Sequence, residues 1–401
     1  MTNVELLAPA GDMDKLRVAL YYGADAVYVG GEQFGLRAAA ANFDVKSLAQ
    51  AVDEAHGCGK RIYLTLNAYL PPSQLAELDG YLEQLRALAI DAYIISDPGV
   101  LERVRAIDPQ RPLHLSTQAN TINAAACNFW QRQGIERVNL ARELDIAAVA
   151  AIRSATTVEL EVFVHGAMCI AYSGRCLLST ALTGRSANSG ACAQPCRWNY
   201  ALVEETRPGQ YFPIAQDDHG TYIMNSRDLC LLDELPLLLN AGIDSLKIEG
   251  RMKTLYYVAA VTRVYRAAID SYLADPAAWR CEPLWRDELD KVSHRPYTGD
   301  FNPPADAAVH SSDSSYRRSH DFLAIVRECG ADGRVLVEAR NRFYPGEEVE
   351  IIAPGMRQQR FRVASCYDEH GAEVTVIQPN ARVWLEVPFA AAGGDMLRRE
   401  K

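Results

Sequence analysis

The sequence predicts an α/β protein: a (β/α)8 TIM-like barrel carrying a Cys-rich insertion after strand seven, plus a small C-terminal antiparallel β-barrel domain. Three observations carry this expectation. Eight short apolar, β-branched runs alternate with segments of helical spacing over roughly 250 residues, the size of a closed parallel barrel. The interval from the seventh run to the eighth, Val158 to Ser245, is 87 positions, far longer than the others. Beyond Phe322 the pattern becomes short strands separated by glycine turns.

The eight runs are Val4–Leu7, Ala26–Gly30, Arg61–Asn67, Ala92–Asp97, Leu113–Gln118, Arg137–Ala141, Val158–His165 and Ser245–Glu249. Between them, Lys15–Tyr22, Leu75–Leu88, Ile122–Gln133, Ile146–Arg153 and Leu231–Asn240 place apolar residues every three or four positions, the spacing of one helix face. Asp12 and Ser73 stand where N-caps belong, and Gly23, Gly134 and Gly242 where helices should stop. Runs such as YIIS are apolar throughout, as strands covered on both faces are. An open doubly wound sheet is the alternative to the barrel. Pro303, Pro304 and the Ser311–Ser315 cluster read as a linker. The expected organisation is a catalytic barrel over residues 1–295, with the excursion at about 166–228, a linker over 296–318 and a β-rich domain over 319–401. Six tail segments read as strands: FLAIVREC, RVLVEAR, EEVEIIA, QRFRVASC, AEVTVIQ and RVWLEV.

The chain has 41 basic and 51 acidic residues, a formal charge of −10. From Tyr316 onward the two signs cancel, so the excess negative charge lies on the barrel. An RNA partner would therefore need a local basic patch. No apolar run is long enough to span a bilayer, and the start, MTNVELLAPAGD, lacks the pattern of a secretory signal. Ten cysteines without an export signal point to thiols or metal ligands rather than disulfides. The expected location is the cytoplasm.

The excursion contains Cys169, Cys176, Cys192 and Cys196 within 28 positions, flanked by the turn formers Gly166, Gly174, Gly190 and Pro195. Four thiolates that can fold back on one centre suit an iron–sulfur cluster or zinc. The wide gap between Cys169 and Cys176 is unlike the close pairs of structural zinc and favours iron–sulfur. Cys230 follows closely enough to stand in for Cys196 as the fourth ligand. No HExxH or GxSxG motif is present. A Cys–His dyad with His165 is conceivable, but no one thiol is set apart as a nucleophile.

Glu161, Phe163, Gly166, Ala167, Met168, Cys169, Gly174, Cys176, Leu178 and Ser179 match the signature of the U32 peptidase family. ELLAPAG at 5–11, GADAVYVG at 23–30, SDPG at 96–99, HLSTQAN at 114–120, NSRDL at 225–229, SLKIEGR at 245–251 and HRPYTGDF at 294–301 also resemble that family, essentially along the whole chain. The resemblance is closest to its prephenate-dependent tRNA wobble-uridine hydroxylase branch. It implies an oxygen-independent hydroxylase that forms 5-hydroxyuridine in the tRNA anticodon loop. A 4Fe-4S cluster on Cys169, Cys176, Cys192 and Cys196, prephenate as co-substrate and an unidentified electron donor are implied with it. Other branches hydroxylate an rRNA cytidine or the quinone ring, and the family label suggests a protease. The excursion after Cys196 is shorter than in the closest relatives.

Prephenate is a dicarboxylate, so its pocket should offer cationic forks. Arg142, Arg175, Lys247 and Arg251 are the candidates, each also readable as an ion pair. His165 reads as a proton donor or a hydrogen bond to the barrel rim, and Glu249 as a base or an orienter of Arg251. Asn67, Gln118 and Asn120 could read an amide-bearing base or satisfy loop backbone. For RNA, the excursion offers Arg175, Arg185, Arg197 and Trp198. The tail offers Arg340, Arg342, Arg357, Arg360 and Arg362 interleaved with Phe343, Tyr344 and Phe361.

Overall fold

A computed structural model describes residues 4–36, 42–168, 173–195, 215–217, 220–222, 227–299 and 317–401. The first six strands and helices follow the expected order. They are β1 (Glu5–Ala10), α1 (Met13–Tyr21), β2 (Ala26–Gly30), α2 (Val45–Gly57), β3 (Arg61–Leu66), α3 (Pro72–Arg86), β4 (Ala92–Ile95), α4 (Pro98–Ile107), β5 (Leu113–Leu115), α5 (Ala124–Arg132), β6 (Arg137–Asn139) and α6 (Ile146–Ser154). β7 (Glu159–Ala167) leads into the excursion, which holds α7 (Leu178–Thr183) and a hairpin of β8 (Ala215–Asp217) and β9 (Gly220–Tyr222). β10 (Asp228–Cys230), α8 (Leu235–Asn240), β11 (Ser245–Ile248), α9 (Leu255–Ala274), α10 (Pro283–Asp290) and β12 (Tyr297–Thr298) complete this part.

β1 to β7 and β11 are parallel neighbours, and β11 pairs with both β1 and β7, so the sheet closes into an eight-stranded barrel. The expected eight runs are these eight strands. Asp12 caps α1 by accepting from the Lys15 N–H at 2.9 Å, and Gly23, Gly134 and Gly242 adopt the positive φ of helix stops. Ser73 is not a cap. α3 starts one residue earlier at Pro72, whose fixed φ suits a first helical position, after Pro71.

The large core lies between strands and helices. Inside the barrel, the apolar set is small: Leu7, Ala26, Tyr28, Tyr63, Ala92 and Ile94. The rest of the interior is a polar network. Glu5 pairs with Arg137 at 2.5 Å, Lys247 with Glu161 at 2.7 Å, and Asn139 donates to Glu161 at 2.8 Å, all buried. Buried charges persist only when paired, and each of these has an opposite charge beside it, Glu161 Oε2 lying 3.7 Å from Arg137 Nη1.

The tail is a separate antiparallel half-barrel of eight strands: β13 (His320–Cys329), β14 (Arg334–Ala339), β15 (Glu348–Ile352), β16 (Gln358–Arg362), β17 (Cys366–Tyr367), β18 (Glu373–Val374), β19 (Arg382–Glu386) and β20 (Met396–Glu400). Their order is β16-β15-β20-β13-β14-β19-β17-β18. The segment QRFRVASC splits into β16 and β17, and β20, a charged segment not expected as a strand, fills the centre between β13 and β15. Arg398 of β20 is fully buried because it reaches Glu288 of α10 at 2.5 Å and Glu350 at 2.5 Å. Arg263 of α9 and Lys291 also bind Glu288, so five charges lock the tail to the barrel. Tyr22 adds a hydrogen bond to the Ile352 carbonyl at 3.1 Å.

Candidate active site at the mouth of the barrel

β7 continues past the barrel rim, and its last residues, His165 to Ala167, pair antiparallel with β10. Gly166 is required there. Its φ is +111°, and a Cβ would meet the Glu249 carbonyl oxygen at 2.5 Å. The end of β11 thus lies directly against the exit of β7, where the cysteine segment begins.

Two groups of candidate residues gather at the strand ends. The first joins β3 to the loop after β5. Asn67 Nδ2 donates to Gln118 Oε1 at 3.0 Å and to Ser116 Oγ at 3.2 Å, while its Oδ1 accepts from the Leu36 N–H. Asn120, in the left-handed region at φ 52°, donates to the Gln118 carbonyl at 2.8 Å. Its Oδ1 is buried and has no hydrogen-bond partner among the described residues. The excursion covers this group. A Cβ on Gly174 would stand 3.1 Å from the Gln118 side chain and 3.2 Å from Tyr69, and exposed Arg175 lies over the Tyr69 ring at 5.7 Å. Residues 174–176 are therefore placed beside the three amide side chains.

The second group joins β2, β3, β6 and β11. Arg251 donates to Thr65 Oγ1 at 3.0 Å, and its guanidinium crosses Gly30 so closely that a Cβ there would lie 2.0 Å from Nη1. Glu249 Oε2 is 3.8 Å from Arg142 Nη2 and accepts from the Tyr28 hydroxyl at 3.4 Å. Arg142 sits 3.8 Å above the Phe163 ring and donates to the Ala167 carbonyl at 2.7 Å. Lys247 is deeper, on Glu161 and over the Tyr28 ring at 4.5 Å.

His165 belongs to neither group. It is 1% exposed and surrounded by Tyr257, Tyr265 and Tyr297, with ring centroids 5.9, 5.6 and 5.2 Å away. Burial lowers its pKa to about 3, against the pull of the Asp228 carboxylate, so the imidazole is neutral at ordinary pH. Its strand partner Cys230 lies 3.9 Å from the Tyr265 hydroxyl, and burial pushes that thiol up to about 11.

Cys176 and Cys192 are partly exposed and free of disulfides. Cys192 Sγ accepts the Gln194 N–H at 3.4 Å, and the adjoining Ala193 N–H is held by Ser179 Oγ at 3.0 Å. A backbone donor to sulfur supports a thiolate ligand, so Cys192 fits a soft-metal or cluster site. Cys169 and Cys196 lie outside the described residues, as do Arg197 and Trp198. Among the described residues no group of three or more His, Cys, Asp or Glu side chains could hold a metal ion.

NSRDL and HRPYTGDF carry no local sign of a shared role. The fold brings them together. Asp228, fully buried, pairs with Arg295 at 2.8 Å and lies 3.6 Å from Lys253 Nζ. Burial would raise its pKa, but the two cations hold it below the ordinary value. The signal was present as opposite charges in two strand-like motifs, but nothing in the sequence showed that the motifs pair. In the tail, Phe343 is fully buried, bridged to Ile377, and cannot stack on a base. Arg340 pairs with Asp14 and Glu338, and Arg360 with Glu348 and Glu400, while Tyr344 and Arg362 are exposed.

The family model described as "Peptidase family U32" matches residues 11–309, and "Peptidase family U32 C-terminal domain" matches residues 318–398. The chain is 38% identical over 373 residues to tRNA hydroxylation protein P1 of Bacillus subtilis, covering 92% of this chain and 88% of that protein. It is 34% identical over 436 residues to tRNA hydroxylation protein P of Escherichia coli, covering 97% and 94%. It is also 37% identical over 306 residues to the 23S rRNA 5-hydroxycytidine C2501 synthase of Escherichia coli, covering 75% of this chain but 45% of that protein.

Proposed function

The chain belongs to peptidase family U32, and from that premise we propose that it is a tRNA hydroxylase. Its reaction places a hydroxyl on carbon five of the wobble uridine, without molecular oxygen, with prephenate as co-substrate. The observation that carries the reading is near full-length similarity to two proteins named for tRNA hydroxylation. The free thiols of Cys176 and Cys192 and the hydrogen-bonding groups at the barrel mouth support it.

Replacing a ring C–H by C–O–H removes two electrons, which side chains handle poorly. A 4Fe-4S cluster on Cys169, Cys176, Cys192 and Cys196 would carry those two electrons from the ring to an acceptor, the step balancing with water-level oxygen as C–H + H2O → C–OH + 2 e− + 2 H+. The protein residues bind and orient. Asn120 Oδ1, which has no partner among the described residues, is the acceptor suited to the edge of a flipped uracil, while Asn67 and Gln118 hold each other in place beside it. Arg251 and Arg175 offer guanidinium forks to the prephenate carboxylates. Glu249 can take up a proton at Oε2 between Arg142 and Tyr28. Lys247, held by Glu161, tunes the charge beneath the mouth, and His165 supports the rim as a neutral hydrogen-bonding group. Exposed tail arginines, Arg360 and Arg362, extend the RNA contact.

Two further readings are weighed. Modification of an rRNA cytidine also targets carbon five of a pyrimidine, and similarity to the rRNA enzyme keeps it as the second reading. Proteolysis by a Cys–His pair would need a lowered thiol pKa and a basic imidazole. His165 and its strand partner Cys230 are shifted the opposite way. Nucleoside mass spectrometry of RNA from a deletion strain separates the candidates. Loss of 5-hydroxyuridine derivatives from tRNA is expected. Intact tRNA with loss of a modified rRNA cytidine would replace the proposal with the second reading.

A further inference from the structure

We infer that Arg142 and Arg295 form a two-armed clamp that positions the start of the cysteine loop. The inference rests on the metal-centre reading above. β7 ends at Ala167, and Met168 is the last described residue before Cys169. Arg142 Nη1 donates to the Ala167 carbonyl at 2.7 Å, and Arg295 Nη2 to the Met168 carbonyl at 3.4 Å. Two guanidiniums therefore grip consecutive carbonyls immediately ahead of a candidate ligand. They come from the end of β6 and from the segment before β12, more than 150 positions apart.

Both arms are rigid. Arg142 is 8% exposed, and Arg295 is 2% exposed. Arg142 lies on the Phe163 ring and near Glu249. Arg295 is held through Nε and Nη2 by Asp228, itself beside Lys253. Burying this many charges is costly, and hydrophobic packing would be at least as stabilising. The arrangement does something packing cannot: it fixes the direction in which the backbone leaves the strand. Arg142 and Arg295 are positioning residues: they bond the backbone ahead of Cys169 rather than a ligand side chain, and their effect is scaled to the change of about 10–100-fold in metal affinity that groups orienting metal ligands contribute.

The test uses the full chain, purified without oxygen and stripped of metal, titrated with Co(II) while the thiolate-to-cobalt absorption band is followed. Arg295→Gln and Arg142→Gln should each weaken Co(II) binding by about 10–100-fold. Arg295→Lys, which keeps the charge but loses the planar fork, should fall between them and the parent. It is also the milder variant should Arg295→Gln fail to fold, folding being checked by circular dichroism. A purely structural role would lower the melting temperature while leaving Co(II) affinity unchanged well below it, and that result overturns the clamp. A parent protein that shows no thiolate–cobalt band overturns the metal-centre reading and the clamp with it. A normal band in the parent, with identical affinities in all variants, overturns the clamp alone.

Discussion

Gly30→Ala probes the second group at the barrel mouth with a single methyl. Gly30 has an ordinary backbone conformation, so alanine is permitted there, but its Cβ would lie 2.0 Å from Arg251 Nη1 and 2.9 Å from Asn42 Oδ1. The guanidinium must move off Thr65 Oγ1, to which it donates at 3.0 Å. Losing a charge-assisted hydrogen bond costs about 1.5–3 kcal/mol, and overpacking a dense site about 1–3 kcal/mol. The variant should therefore lose about 2.5–6 kcal/mol of stability and, if Arg251 binds prephenate, show a raised KM for it. Gly80→Ala is the control. It lies inside α3, a Cβ there meets nothing within 4 Å, and alanine should stabilise by about 1 kcal/mol. Denaturant unfolding and prephenate-dependent tRNA hydroxylation read the two outcomes. Unchanged stability and unchanged KM in Gly30→Ala would refute the packing argument.

Glu288→Gln removes the buried anion shared by Arg263, Arg398 and Lys291, and should cost about 3–5 kcal/mol by denaturant unfolding. Burial pushes the Glu288 pKa upward, but Arg398 and Arg263 outweigh it and hold the carboxyl far below its ordinary value. The stability it contributes is complete above the unfolded pKa of about 4.3 and is lost as pH falls below it, a loss Glu288→Gln should not show. His165, with its pKa lowered to about 3, should show no imidazole titration between pH 8 and 5 by NMR. Its neutral burial favours the fold above about pH 6.5, and that contribution declines as pH falls toward 3. Arg360→Glu should weaken tRNA binding at low salt, more than at high salt; equal affinity would remove the tail edge from the RNA surface.

The barrel was legible because each strand keeps its apolar identity locally and each helix its 3.6-residue spacing. The long gap after Val158 likewise located the excursion. The tail was harder to read. β20, which ends in Arg398, Arg399 and Glu400, is not among the six expected strands, because the sequence does not reveal that Glu288 and Glu350 neutralise Arg398. Phe343 read as an exposed aromatic among arginines, whereas alternation turns it into the core of the half-barrel. At the mouth, the candidate cations could be named from strand ends, but not sorted. Lys247 and Glu161 are 86 positions apart and meet only because β11 closes on β7. Asp228 and Arg295 were hidden for the same reason: long-range register, not local pattern, makes the pair.

Whether a redox-competent cluster serves tRNA hydroxylation here is decided by chemical analysis of anaerobically purified protein. Iron and acid-labile sulfide should each approach about four per chain, with a brown chromophore, and both should fall sharply in Cys176→Ser and Cys192→Ser. Colourless protein containing zinc, or neither iron nor sulfide after reconstitution, would contradict it.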